Sequence, residues 1–80
     1  MSRITLRYFA SLRDAVGAAD EHVDTACTYL HEVYEDARAR HGFPWSTAHL
    51  RVAVDGEFSR WDAEVRDGSE IAFIPPVSGG

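Results

Sequence analysis

Few side chains in this 80-residue sequence stand at spacings that carry chemistry. Cys27 is the single thiol, and a helix N-terminus beside it would make it a nucleophile by lowering its pKa. No His or carboxylate is placed beside it by spacing, so a small, half-buried helix residue is its expected role. His22, His31, His41 and His49 have no ligand-like spacing. They are expected in solvated or packing roles, with no metal. Asp55 and Asp67 each precede Gly, which marks turns rather than an acid/base pair. "DGSE" is likewise a turn and not a phosphate-cradling loop. Nothing here builds a self-contained active site. If the chain takes part in a reaction, it does so as the substrate.

The group that remains is the end of the chain, "PPVSGG". From average usage, Pro-Pro, two free positions and Gly-Gly end a chain about once in 10⁵. Pro75 and Pro76 fix φ and hold the exit extended. Val77, Ser78, Gly79 and Gly80 then reach at most about 13–14 Å further. Gly79 and Gly80 lack Cβ atoms and suit a slot that admits only backbone. The group delivered is the α-carboxylate of Gly80, a poor electrophile. Adenylation by ATP would activate it, and a sulfur donor would then convert it to a thiocarboxylate. The alternative is a frayed terminus without function.

Such a tail needs a rigid origin, and the rest of the sequence supplies one. "RITLRYF" alternates, with Ile4, Leu6 and Tyr8 on one face, and predicts a half-buried strand. "ASLRDAVG" spaces Leu12, Ala15 and Val16 as a short helix stopped by Gly17. "EHVDT" predicts a short second strand. The main helix is expected to start at an Asp24 or Thr25 N-cap, to bury Leu30, Val33, Tyr34 and Ala37, and to stop at Gly42 and Pro44. "HLRVAV" predicts a strand, and Asp55-Gly56 a hairpin turn into "EFSRW". After a second turn at Asp67-Gly68 comes a strand from Glu70 to Ile74, apolar on both faces and so expected at the middle of a sheet. Trp45 and Trp61 are expected to cover the ends of the core. The sum is one α+β domain over 1–80: a mixed sheet of four to five strands, one main helix across one face, and a flexible tail over 75–80. The first strand lies beside and parallel to the last, joined through the helical crossover.

Composition narrows the function. Hydrophobic content of 45% and charged content of 26% fit an ordinary globule with one modest core. A net charge of −5 argues against nucleic acid and permits steering toward a basic groove on another protein. No apolar run or leader points to a membrane, and the cytoplasm is the expected compartment. All eight basic residues are Arg, so the N-terminus is the only aliphatic amine.

With these features, the chain resembles the sulfur-carrying small subunits of molybdopterin synthases, the MoaD-like branch of the ubiquitin-like β-grasp proteins. "YFASLRDAVG", "RARHGF", "LRVAVDGEF" and "DGSEIAFIPPVSGG" carry the resemblance nearly end to end. The last motif is the specific one. The "SLRDAVG" helix separates this branch from thiazole-pathway carriers. Asp55 and Ser69 stand where the family often has Asn and Asp, at turn positions that accept either. The resemblance implies a non-catalytic, sulfur-donating subunit that binds no cofactor of its own. A ubiquitin-activating-like adenylyltransferase, with ATP and Mg²⁺, would adenylate Gly80. A sulfur donor such as a cysteine desulfurase would supply the covalent sulfur. The tail would then enter the large synthase subunit, and sulfur would pass to a cyclic pyranopterin monophosphate to form the dithiolene that binds molybdenum. The implied assembly is a heterotetramer.

Strand parity gives a docking face. Ile71 and Phe73 point toward the helix, so Ala72 and Ile74 face away. Phe58 and Phe9 are expected to join Ile74 in an apolar patch with Arg13 as a rim charge. The family pattern places partner contacts at the positions of Arg13, Phe58 and Ile74. The ordinary alternatives are core roles for Phe58 and Phe9 and a solvated Arg13. Two other functions stay open. One is a carrier or protein tag in cysteine, thiazole or thiolated-tRNA synthesis, or in conjugation, although chains cannot be built through lysines that are absent. The other is a β-grasp interaction module whose tail is never activated.

Overall fold

The computed structural model describes residues 1–76. Strand β1 (Ser2–Tyr8) buries Ile4, Leu6 and Tyr8 and turns Arg3, Thr5 and Arg7 to the opposite face, as its period-two pattern requires. The short helix α1 (Ala10–Val16) follows. Its Gly17 adopts φ 84 and donates its N–H to the Arg13 carbonyl at 2.8 Å. Only Leu12 of the expected stripe is fully buried; Val16 is half-buried, and Ala15 is exposed on so short a helix.

Strand β2 (Asp20–Thr25) returns antiparallel to β1, with Ser2 opposite Thr25 and Arg3 opposite Asp24. This pairing takes up the two residues expected to cap the main helix. Helix α2 (Leu30–His41) instead starts after Tyr29. The Glu32 carboxylate accepts the backbone N–H groups of Thr28 and Tyr29 at 3.1 and 2.9 Å, satisfying two donors at the helix entrance. Cys27 therefore lies in the loop before α2 and not on the helix. It is half-buried, and its N–H donates to Thr25 Oγ1 at 3.1 Å. The apolar stripe of α2 is as expected: Leu30, Val33, Tyr34 and Ala37 are buried. The helix ends at Gly42 with φ 73.

The third strand is shorter than its apolar run. A 3-10 turn takes Thr47–His49, leaving β3 as Arg51–Val54. The Asp55-Gly56 turn, with φ 51 and 88, leads into β4 (Glu57–Ser59), and Arg60 and Trp61 leave the ladder. The Asp67-Gly68 turn leads into β5 (Glu70–Ile74). Both turn carboxylates are structural: Asp55 accepts the Glu70 N–H at 2.9 Å and Asp67 the Arg3 N–H at 2.7 Å.

The five strands form one sheet in the order β2-β1-β5-β3-β4. β5 is central, parallel to β1 and antiparallel to β3. The core lies between one face of this sheet and α2, where the Tyr34 ring meets Phe73 edge-on at 5.1 Å. Trp61 stacks on Phe73 at 6.0 Å, and Tyr34 donates its hydroxyl proton to the Trp45 carbonyl at 2.6 Å. Both tryptophans cover the core as expected. Among the described residues, no helix is long and apolar enough to cross a membrane.

Candidate docking face and tail exit

Register brings the functional residues together on the sheet face that α2 leaves open. Arg7 pairs with Ala72, Ala72 with Ala53, and Ala53 with Phe58, so one row crosses β1, β5, β3 and β4. The two alanines make a floor. Around it stand Phe9, Phe58 and Ile74, and together they bound a depression of about 280 Å³. Phe58 is 68% exposed and Phe9 42%, so neither is core. The expected patch of Phe9, Phe58 and Ile74 is one surface. Arg13, expected at the rim, is exposed on α1 and does not line the depression itself.

Sequence reasoning put Ala72 on this face but missed Ala53 beside it and two arginines. The Arg7 guanidinium lies 5.8 Å from the Phe9 ring centroid and pairs with Glu70 at 3.3 Å. The Arg51 guanidinium lies 5.7 Å from the Phe58 ring centroid. Period-two alternation places Arg51 on this face, but only the register shows that it stands opposite Ile74.

The chain leaves β5 beside this surface. A second depression, of about 380 Å³, shares Phe58 and Ile74 with the first and extends along His49 and Arg51 to Pro75 and Pro76. Pro75 is buried and Pro76 exposed. Val77, Ser78, Gly79 and Gly80, expected to carry the reacting carboxylate, lie outside the described residues.

Three of the histidines contact neighbouring side chains. His22 Nδ1 lies 3.1 Å from Thr5 Oγ1, His31 stacks on Tyr29, and His41 lies beside Glu21. Glu21 is a hub no local pattern announced. Its carboxylate accepts the Tyr8 hydroxyl at 2.7 Å and an Arg40 N–H at 2.9 Å. Burial alone would raise the Glu21 pKa, but the bonds from Arg40, Tyr8 and His41 outweigh it and hold the carboxyl below its ordinary range. Burial, and then the Glu21 carboxylate, push the Tyr8 phenol far above its ordinary value. A larger hollow of about 410 Å³ lies over Asp55, Glu57, Glu64 and Arg66. Its groups do not converge on a reacting position. Among the described residues, no group of three or more His, Cys, Asp or Glu is placed to hold a metal ion.

A mixed sheet with its first and last strands parallel at the centre, one long helix across one face and an apolar opposite face defines a ubiquitin-like β-grasp protein of the α+β class. The chain belongs to the ThiS family, whose pattern matches residues 6–80, and it is a sulfur carrier of the ThiS/MoaD type. It is 32% identical over 82 residues to the molybdopterin synthase sulfur carrier subunit of Haemophilus influenzae, covering 96% of this chain and 99% of that protein. Among solved structures it is similar to the small archaeal modifier protein 1 of Haloferax volcanii, with TM-score 0.82 and 21% identity over 96% of this chain and 100% of that one. It is also similar to a chain in the complex of subunits 1 and 2 of the molybdopterin-converting factor from Helicobacter pylori, with TM-score 0.67 and 18% identity over 98% of this chain and 99% of that one. At these identities the structures show the fold alone.

Proposed function

We propose that this chain is the sulfur carrier subunit of a molybdopterin synthase. The observation that carries the reading is the 32% identity to such a subunit, which spans nearly all of both chains. The fold adds support. The helix α1, whose sequence set this branch apart, stands between β1 and β2. The central strand β5 also directs the chain out past an apolar face.

In this reading the Gly80 carboxylate attacks ATP, bound with Mg²⁺ on a ubiquitin-activating-like adenylyltransferase, and pyrophosphate leaves. The outer sulfur of a persulfide on a donor such as a cysteine desulfurase displaces AMP to form an acyl disulfide, and a thiol reductant then cleaves the S–S bond, becoming part of a new disulfide and releasing the thiocarboxylate. The face of Phe9, Phe58 and Ile74 docks on the large synthase subunit in a cytoplasmic heterotetramer. The tail reaches that subunit's catalytic groups, and its sulfur passes to a cyclic pyranopterin monophosphate while water restores the Gly80 carboxylate; two charged carriers in turn supply the two sulfurs of the dithiolene. Carrying sulfur on the carboxyl terminus needs no catalytic group on the carrier itself.

The test is mass spectrometry of the chain after incubation with adenylyltransferase, ATP and a sulfur source. The expected product has one terminal oxygen of Gly80 replaced by sulfur. Sulfur on Cys27 with an unmodified terminus would overturn the reading. A second reading is a carrier or protein tag of another pathway, since the ThiS family match itself names no acceptor. It shares the chemistry at Gly80 and differs in the acceptor. Failure of the thiocarboxylated chain to support dithiolene formation with the large subunit would select it.

A further inference from the structure

The two depressions on the open sheet face share Phe58 and Ile74, so they form one groove from the alanine floor to Pro75 and Pro76. Its charge is opposite in sign to that of the chain. The chain carries −5, yet the ionised side chains lining the groove are Arg7, Glu70 and Arg51. Arg7 and Glu70 neutralise each other in their ion pair at 3.3 Å. Arg51 is left over. Among the described residues it makes no ion pair, and its guanidinium rests 5.7 Å from the ring centroid of the exposed Phe58. It stands opposite Ile74, the last residue of β5 before the exit.

A surface that covers Phe58 and Ile74 must also strip water from Arg51. An uncompensated guanidinium in such an interface is costly, so the covering surface has to supply an acceptor. A carboxylate fits best, because its two oxygens match the guanidinium fork while the opposite π-face stays on the aromatic ring.

We propose that Arg51 is a specificity-determining residue for the docking partner. That partner presents a large apolar side chain to the Ala53 and Ala72 floor and a carboxylate to Arg51 at the tail exit. The inference rests on the docking face of the proposed function and deepens it. It selects acidic over neutral partner surfaces at one named position.

The experiment titrates the full chain against the large molybdopterin synthase subunit of the same organism, at low and high salt. Arg51→Gln is expected to weaken binding about 10-fold at low salt and to flatten the salt dependence, and Arg51→Glu to weaken it about 100-fold. Arg51→Lys should restore part of the loss. Among alanine substitutions of the partner's carboxylates, one should add nothing to Arg51→Gln. If Arg51→Gln binds with wild-type affinity and salt dependence while Ile74→Arg abolishes binding, the role of Arg51 is overturned and the docking face stands. If the wild-type chain does not bind the large subunit, the proposed function fails and takes this inference with it. If Arg51→Gln binds normally but is adenylated poorly by ATP, Arg51 meets a phosphate, which also overturns the proposal.

Discussion

Glu21 shows how much of this fold rests on one carboxylate. It ties β1 through Tyr8 to the end of α2 through Arg40, across elements far apart in sequence. Its lowered pKa is a statement about stability. A carboxyl whose folded pKa lies below its ordinary value of 4.5 stabilises the fold above that value and stops doing so as pH falls through the folded pKa. Glu21→Gln is therefore expected to cost about 1 kcal/mol at neutral pH, the modest worth of charged hydrogen bonds near a surface. It should also remove part of the stability that the wild type loses below about pH 4.5. Urea unfolding of both proteins across pH tests this, and parallel pH profiles would refute it. The sequence gives no hint of this hub, because Tyr8 reads as a core residue, Glu21 as an edge charge and His41 as a helix end. Only tertiary packing brings them together.

At the scale of elements, strand parity governs both folding and docking. Phe73 is fully buried against α2, while Ile74 is half-buried on the opposite face. Phe73→Arg is expected to unfold the domain by burying an unpaired charge. Ile74→Arg should fold normally and lose at least about 2 kcal/mol of binding to the large subunit, if Ile74 is a central contact. Circular dichroism and titration separate the two outcomes, and equal loss of fold in both would show the parity to be wrong. This parity was legible from Glu70 to Ile74, as were the alternation of β1, the stripe of α2 and both Asp-Gly turns, because each is a local pattern. The start of α2 was not legible. Asp24 and Thr25 have cap chemistry, but their pairing with Arg3 and Ser2 claims them for β2. Tyr29 replaces them through Glu32, which a search for Ser, Thr, Asp or Asn at the cap passes over. In the site, Phe9, Phe58, Ile74 and the outward parity of Ala72 were legible, and Ala53 was not, because its place in the row depends on the pairing of β3 with β5.

For the whole molecule, burial among the described residues runs through Pro75, and the reaction is expected at Gly80. Deleting Gly80 is expected to abolish sulfur transfer while leaving the melting temperature nearly unchanged, since misplacing a reacting group by even ~1 Å can cost about 10²-fold in rate. Gly79→Val should act similarly through its β-branched side chain. Both variants should still compete with wild type for the large subunit, as a binding assay run beside a dithiolene assay can show. Normal dithiolene formation by the Gly80 deletion would refute the carrier reading. The place of β5 also has a mechanical meaning. A partner that draws on the tail pulls along a strand bonded to a neighbour on both sides, parallel β1 and antiparallel β3. The load falls on two ladders in shear and is shared by many hydrogen bonds at once, whereas an edge strand such as β4 would peel one bond at a time. The body can thus be hauled by its end without coming apart.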